Sequence, residues 1–437
     1  MPRLTRGIVV LGALASFVLR PAAAERPNLD AAVAVAKWIQ SSALKTDGGV
    51  TWPADPSDPT TVNYALYSGS PGVVLFLLEL HKATGRPEYL AQAREGAGAL
   101  LARLPLEKES GLYTGIAGIG FTAGEMLRAT GDDRYREGVR TTVKLLGERA
   151  QSAGEGVQWN DVTDIIGGSA GTGLFLLYAA DLLKSDEPRA LAAKAADRLL
   201  EVGKPAEGGL QWAMDPKFPR KMPNFSHGTA GISYFLAATY KATGDRKYLD
   251  GALAGARFLK AIAKTDGDVC LIRHNEPDGM DLFYLGWCHG PVGTSRLWYQ
   301  LAKTTNDKAW MDWVFKSARA LQTSGIPESP TPGFWNNVSQ CCGSAGVAQF
   351  FLDLYTITKD ATYLQFSKKM SADLLARGTR DEKGLRWVQA EHRVRPELLI
   401  AQTGYMQGAA GIGMWLLRLD AAEQNRPAFV KFPDSPW

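Results

Sequence analysis

The sequence predicts an all-α protein, a seven-fold (α/α) toroid in which seven inner helices are ringed by outer ones, forming a single unit over residues 25–437. Three observations carry that prediction. A Gly-x-x-Gly step followed by an apolar run recurs seven times, and an amphipathic run follows several of these steps. The steps are 46 to 65 residues apart and use up the chain, leaving no stretch for a second domain. Self-similarity at this period marks repeat architectures, in which each unit buries its apolar face against its neighbours.

Residues 1–24 stand apart. Arg3 and Arg6 precede an apolar run at residues 8–19, and Pro21 interrupts it before Ala22-Ala23-Ala24 and Glu25. A basic start, a short apolar middle and small residues at a cleavage point form the pattern of an export signal. Twelve helical residues rise only about 18 Å, short of the ~30 Å hydrocarbon core of a bilayer. The segment therefore reads as a signal peptide, with a mature chain that begins near Glu25 and is periplasmic or secreted. No later segment is long enough to span a membrane as a helix.

The repeat steps are Gly69/Gly72, Gly115/Gly118, Gly168/Gly171, Gly228/Gly231, Gly290/Gly293, Gly343/Gly346 and Gly408/Gly411. They predict inner helices over 73–80, 121–127, 174–180, 232–240, 294–301, 347–355 and 412–419. Several are apolar on nearly every side, as helices buried all round must be. A punctuation follows four of them, beginning at Thr84, Thr130, Thr243 and Thr358 and ending at Tyr89, Tyr135, Tyr248 and Tyr363. Each opens an outer helix, such as 247–262, with Leu249, Leu253, Ala256 and Leu259 at three- and four-residue steps. Gly209-Leu-Gln-Trp212 and Gly384-Leu-Arg-Trp387 read as edges of loop hairpins. Glycine at the start of each inner helix lets backbones converge closely. Seven helix N-termini at one end, each with roughly half a positive charge, favour anionic groups there.

The chain carries 49 basic and 45 acidic residues. Without Arg3, Arg6 and Arg20 the mature part is nearly neutral, which gives no electrostatic case for nucleic acid or an anionic membrane.

The residues that break the glycine pattern carry the chemistry. His227 directly precedes Gly228; Cys288-His289 precede Gly290; Cys341-Cys342 precede Gly343. Equivalent positions in neighbouring repeats lie side by side, and converging sulfur ligands suit zinc. Two disulfides would be the ordinary expectation for four cysteines in an exported chain, but the adjacency of Cys341 and Cys342 fits simple pairing poorly. The alternatives left open are a disulfide from Cys288 to one of that pair, or merely buried thiols. Cys270 lies off the repeat position and reads as core.

Seven Gly-x-x-Gly repeats, Trp287-Cys288-His289-Gly290 in the fifth and Cys341-Cys342-Gly343 in the sixth together resemble the lanthionine synthetase C-like family, over essentially the whole mature chain. The resemblance implies a seven-fold α/α toroid with a zinc ion at one end, held by Cys288, Cys341 and Cys342. Most members have histidine where this chain has Cys342, so this is a three-thiolate variant. The resemblance also implies a catalytic His227 and an aspartate before the third repeat, Asp164, with Asp161 its nearby competitor. Lantibiotic cyclases often carry an arginine four residues before the first zinc cysteine; here that residue is Tyr284, with Arg273 and Arg296 as possible substitutes.

The implied chemistry is addition of a thiol, on a peptide or a small molecule, to dehydroalanine or dehydrobutyrine to give a thioether. His227 would protonate the enolate, and Asp164 would orient a group or take the thiol proton. Two other readings compete. One is a zinc-stabilised peptide-binding module without catalysis. The other is a glycan-processing toroid, which would want two carboxylates at the mouth, such as Asp161 and Asp164. Trp159, Trp212, Trp287 and Trp335 stand near repeat mouths, either lining a groove or serving as ordinary apolar cover.

Overall fold

The computed structural model describes Pro2 and residues 25–437 except Pro216 and Pro219. The export signal expected over residues 1–24 falls, apart from Pro2, outside the described residues. Among them fourteen α-helices follow one another. The inner ring comprises α2 (Ser70–Thr84), α4 (Ile116–Thr130), α6 (Ser169–Leu183), α8 (Thr229–Thr243), α10 (Pro291–Thr305), α12 (Ser344–Thr358) and α14 (Ala409–Glu423). The outer ring comprises α1 (Pro27–Gln40), α3 (Pro87–Arg103), α5 (Asp133–Arg149), α7 (Asp186–Val202), α9 (Arg246–Ile262), α11 (Ala309–Gln322) and α13 (Ala361–Ala376). Each inner helix packs on the next, and α14 packs back on α2. No helix among the described residues is long and apolar enough to cross a membrane.

The inner helices begin earlier than the sequence predicts. The first glycine of every step is the N-cap, so each helix starts at the next residue and runs for 15 residues. The second glycine lies inside the first turn, where a loop backbone crosses it. A Cβ on Gly293 would overlap the Trp287 carbonyl, and one on Gly411 the Tyr405 carbonyl. It is a point of close approach, not a helix start.

The punctuation after the inner helices has a local cause. Gly85, Gly131 and Gly244 adopt left-handed conformations, with φ of 71°, 69° and 77°, and end their helices. The next residue but one then opens or caps the outer helix. Asp132, Asp245 and Asp360 each accept a hydrogen bond from the backbone N–H two residues on.

The seventh inner helix has no outer helix after it in sequence; α1 takes that place against α14. Arg26 binds Asp420 through Nε (2.8 Å) and Nη2 (2.5 Å), and Asn28 donates to Glu423 (3.1 Å). The ring is thus clasped by chain segments almost 400 residues apart.

Five two-stranded antiparallel hairpins decorate the loops. Four share one design: β1 (Leu44–Thr46) with β2 (Gly49–Thr51), β3 (Gln151–Ala153) with β4 (Gly156–Gln158), β5 (Lys204–Ala206) with β6 (Gly209–Gln211), and β7 (Thr379–Asp381) with β8 (Gly384–Arg386). A buried tryptophan follows each: Trp52, Trp159, Trp212 and Trp387. The last three donate their indole N–H to the carbonyls of Leu146, Leu199 and Leu374 on the preceding outer helix. Trp159 and Trp212 are therefore fasteners for the hairpins. The fifth hairpin, β9 (Gln389–Ala390) with β10 (Leu399–Ile400), differs: its loop overhangs one end of the toroid.

The C-terminal tail enters the axis of the toroid from the end where the inner helices finish. Phe432 stacks on Tyr405 with ring centres 4.5 Å apart, and Trp437 stacks on Tyr299 at 4.4 Å. The buried Asp434 takes hydrogen bonds from Tyr113 (3.2 Å) and Arg296 (2.7 Å).

Candidate metal centre at the mouth of the toroid

At the opposite end, where the inner helices start, the loops meet in a closed circle of backbone hydrogen bonds. Tyr67 N–H donates to Tyr113 O, Tyr113 to Ile166, Ile165 to Ser226, Ser226 to Cys288, Cys288 to Cys341, Cys341 to Met406, and Met406 back to Tyr67, at 2.8–3.2 Å. Every acceptor in this circle stands two residues before a repeat glycine. The residues one before the glycine are Ser68, Thr114, Gly167, His227, His289, Cys342 and Gln407. Repeats five and six are neighbours in the circle, which is why their cysteines meet.

The Sγ atoms of Cys288 and Cys342 are 3.2 Å apart and those of Cys342 and Cys341 3.4 Å, and all three lie within 4.8 Å of one another. All three residues are buried, and all four cysteines are free thiols. Hydrogen bonds from the Cys288 and Cys342 thiols draw the Cys341 thiol well below its ordinary pKa, so a thiolate is favoured there. Tetrahedral zinc with ~2.3 Å bonds holds its sulfurs about 3.8 Å apart. The two closest separations lie a little below that value and the third is within 4.8 Å, so the donor set fits a soft, tetrahedral ion after a small adjustment. No fourth protein donor joins the group among the described residues. Cys270 lies elsewhere, against α11, its thiol pushed up to about 12 by burial.

His227 and Asp164 meet beside the sulfurs. His227 Nδ1 is 2.5 Å from Asp164 Oδ2, while Asp164 Oδ1 accepts from the N–H groups of Gly167 (2.9 Å) and Gly168 (3.0 Å). The aspartate thus fixes the entry to α6 and orients the imidazole at once. Burial pulls the His227 pKa down, but the Asp164 hydrogen bond and charge, with the Cys341 sulfur, bring it above its ordinary value. Asp161 is exposed and paired with Lys217 (2.8 Å).

The sulfurs and His227 line a cavity of about 300 Å³. Four of the five histidines reach it: His227, His274, His289 and His392. His289 is driven well below its ordinary pKa by burial and by the neighbouring His274 and His227. His274 is driven down to about 4, chiefly by burial and then by Arg393. The Nδ1 atoms of both, and Ser226 Oγ, are buried without a protein partner. Tyr284 stacks flat on His274 at 4.1 Å, and Arg393 Nε lies 3.4 Å from its hydroxyl.

Neither arginine considered as a substitute lines this cavity. Arg273 is bound to Glu276 (2.5 Å), and Arg296 turns down the axis to Asp434. The guanidinium that does line it is Arg393, from the β9–β10 loop. Trp335 lines the cavity half-buried, and Trp287 is buried behind Cys288. The facing carboxylates a glycan-processing site would want do not meet here. Asp164 is buried under His227 and Asp161 points away, so Glu391 is the carboxylate among the described lining residues.

Sequence reasoning missed Tyr67 and Gln407, which stand two and one residues before their repeat glycines, as the cysteines do. It also missed His274, Glu391, His392 and Arg393, which come from loops outside the repeat.

The family model described as lanthionine synthetase C-like protein matches residues 60–434. Among solved structures, nisin cyclase is similar at 18% identity and a TM-score of 0.63, covering 94% of this chain and 95% of that one. A glycoside hydrolase family 76 mannosidase from Bacteroides thetaiotaomicron VPI-5482 is similar at 12% identity and a TM-score of 0.53, covering 92% and 100%. A Listeria innocua protein, Lin0763, is similar at 14% identity and a TM-score of 0.52, covering 92% and 99%. At these identities the likeness is one of fold alone.

Proposed function

The chain belongs to the lanthionine synthetase C-like family, and from that premise we propose that it is an exported, zinc-dependent enzyme that adds a thiol to a dehydroalanine or dehydrobutyrine residue to form a thioether. The observation that carries this reading is the convergence of Cys288, Cys341 and Cys342 beside the His227–Asp164 pair in one open cavity.

Cys288, Cys341 and Cys342 would hold the zinc. Bound there, it would lower the pKa of a substrate thiol and keep that sulfur deprotonated at neutral pH. The remaining work falls to the chain itself. As the sulfur forms its bond to the alkene β-carbon, the π pair moves onto the neighbouring carbonyl as an enolate. His227, held by Asp164, gives its proton to the α-carbon and later recovers one from the next thiol. The net change is one C–S and one C–H bond, with no oxidation. Arg393 is the cation placed to meet the carbonyl oxygen as charge grows on it. The low-pKa His274 and His289 stay neutral and offer hydrogen bonds without adding charge.

The test is direct. Mature protein purified without added metal is analysed for zinc, then mixed with a dehydroalanine peptide and a cysteine peptide or small thiol, and thioether formation is followed by mass spectrometry. One zinc per chain and a rate well above free zinc in buffer are expected. Peptide binding with no rate enhancement across several substrates would replace this reading with a binding module. Export is tested by N-terminal sequencing of protein from its native host, where a start near Glu25 is expected.

A further inference from the structure

A site that holds three protein sulfurs beside an electrophilic alkene has a problem of selectivity. The same alkene that the substrate thiol must attack lies within reach of the protein's own sulfurs, and an adduct on any of them would destroy the site.

Two of the three sulfurs are met by a side-chain donor from outside the cysteine group. Tyr67 donates its hydroxyl to Cys341 Sγ at 3.4 Å, and Gln407 Nε2 is 3.9 Å from Cys342 Sγ. Both belong to one chain of bonds whose direction is fixed from its far end. Asn337 Nδ2 donates to Gln407 Oε1 at 3.0 Å, which settles the orientation of the Gln407 amide. Gln407 Nε2 then donates to Tyr67 Oη at 3.0 Å, so the tyrosine oxygen is engaged as an acceptor and its own hydrogen is left for Cys341. Tyr67 comes from repeat one and Gln407 from repeat seven, whereas the sulfurs come from repeats five and six. A phenylalanine would fill the same space, so the hydroxyl has work that packing does not require. A sulfur lone pair drawn into a hydrogen bond is less available to attack carbon.

We propose that the Asn337–Gln407–Tyr67 chain is a guard: it suppresses the nucleophilicity of the protein's own sulfurs, Cys341 first, so that the incoming thiol is the one that reacts. This inference rests on the thioether-forming reading above. The reaction being suppressed is itself an addition: a protein sulfur bonds to the β-carbon, the π pair moves to the carbonyl, and a proton returns to the α-carbon. The adduct therefore carries the full mass of the acceptor.

The experiment uses wild type and Tyr67→Phe, as purified and with metal content measured. Each is incubated with a small dehydroalanine amide and no thiol, and in a parallel arm with iodoacetamide, which alkylates sulfur with loss of iodide. Intact mass gives the rate of modification and peptide mapping its site. Tyr67→Phe is expected to keep its metal and to be modified at Cys341 roughly 3- to 10-fold faster than wild type. Should it fail to fold, Gln407→Leu carries the same test, because it unhooks Tyr67 and removes the donor to Cys342. Modification at the wild-type rate, or loss of metal from a folded Tyr67→Phe, would overturn the guard and make Tyr67 a structural support. If wild type with added thiol forms no thioether, the proposed function fails, and the iodoacetamide arm still decides the guard.

Discussion

The two ends of this toroid are built from the same fourteen helices and treated in opposite ways. Where the inner helices finish, the chain supplies its own filling. The tail brings Asp434 to Arg296 and Tyr113, gives the N–H groups of Phe429 and Val430 to Glu79, and lays Trp437 on Tyr299. Where the inner helices begin, the polar groups of Ser226, His274 and His289 are buried beside an open cavity without protein partners. One end puts several of its polar groups to holding the ring together. The other presents them, on a rim rigid enough to keep three sulfurs together without a disulfide.

Changes at the two ends should therefore separate chemistry from stability. The largest effect belongs to Cys341→Ala, which should lose most of the metal and bring thioether formation to background, while Cys270→Ala keeps both. Equal losses from the two variants, read by elemental analysis and rate, would show the ligand set to be wrong. Next comes His227→Ala, which should keep metal and fold but slow the reaction by about 10²–10⁴-fold. The companion change Asp164→Asn sharpens the point. Burial alone would lower the His227 pKa and Asp164 is what raises it, so the acid form persists above the ordinary value of about 6.5. Without that carboxylate the fall in rate on the basic side of the pH profile should move to lower pH. A profile unchanged in position would mean that His227 is not the titrating group.

Along the axis, where the tail reaches up beneath the mouth, Asp434→Ala strands the buried Arg296 guanidinium and should cost about 3–5 kcal/mol of stability, read by denaturant melts. Zinc stoichiometry of the folded protein should not change. A loss of metal without a loss of stability would contradict the separation of the two ends. The smallest effect is expected from Arg393→Met, about tenfold in rate with metal and stability intact, because a half-buried loop cation at an open cavity is partly replaced by water.

Much of this was legible in the sequence, for a physical reason. Glycines that must admit a crossing backbone recur at fixed places, so the seven inner helices and the neighbouring cysteines followed from spacing. The helix starts were misplaced because both glycines of each step look alike on paper, whereas one is an N-cap and the other a contact. The outer partner of α14 was hidden because it lies at the start of the chain. Trp159 and Trp212 became fasteners only once the hairpins were seen to lean on α5 and α7. His274 and Arg393 had no signal at all: loops of unequal length carry them, and no period marks what a loop will overhang.

The circle of backbone hydrogen bonds at the mouth has a consequence for how this protein can vary. The gap between adjacent sulfur-bearing residues is set by one hydrogen-bonded step from repeat to repeat. The 46 to 65 residues that separate successive repeat glycines do not enter it. Lengthening or rewriting an outer loop leaves the gauge of the mouth untouched, much as changing the spokes' ornament leaves a hub's bore unchanged. The spacing of the sulfurs is thus insulated from the part of the chain most free to drift, and the overhang can be rewritten without retuning the sulfurs beneath it.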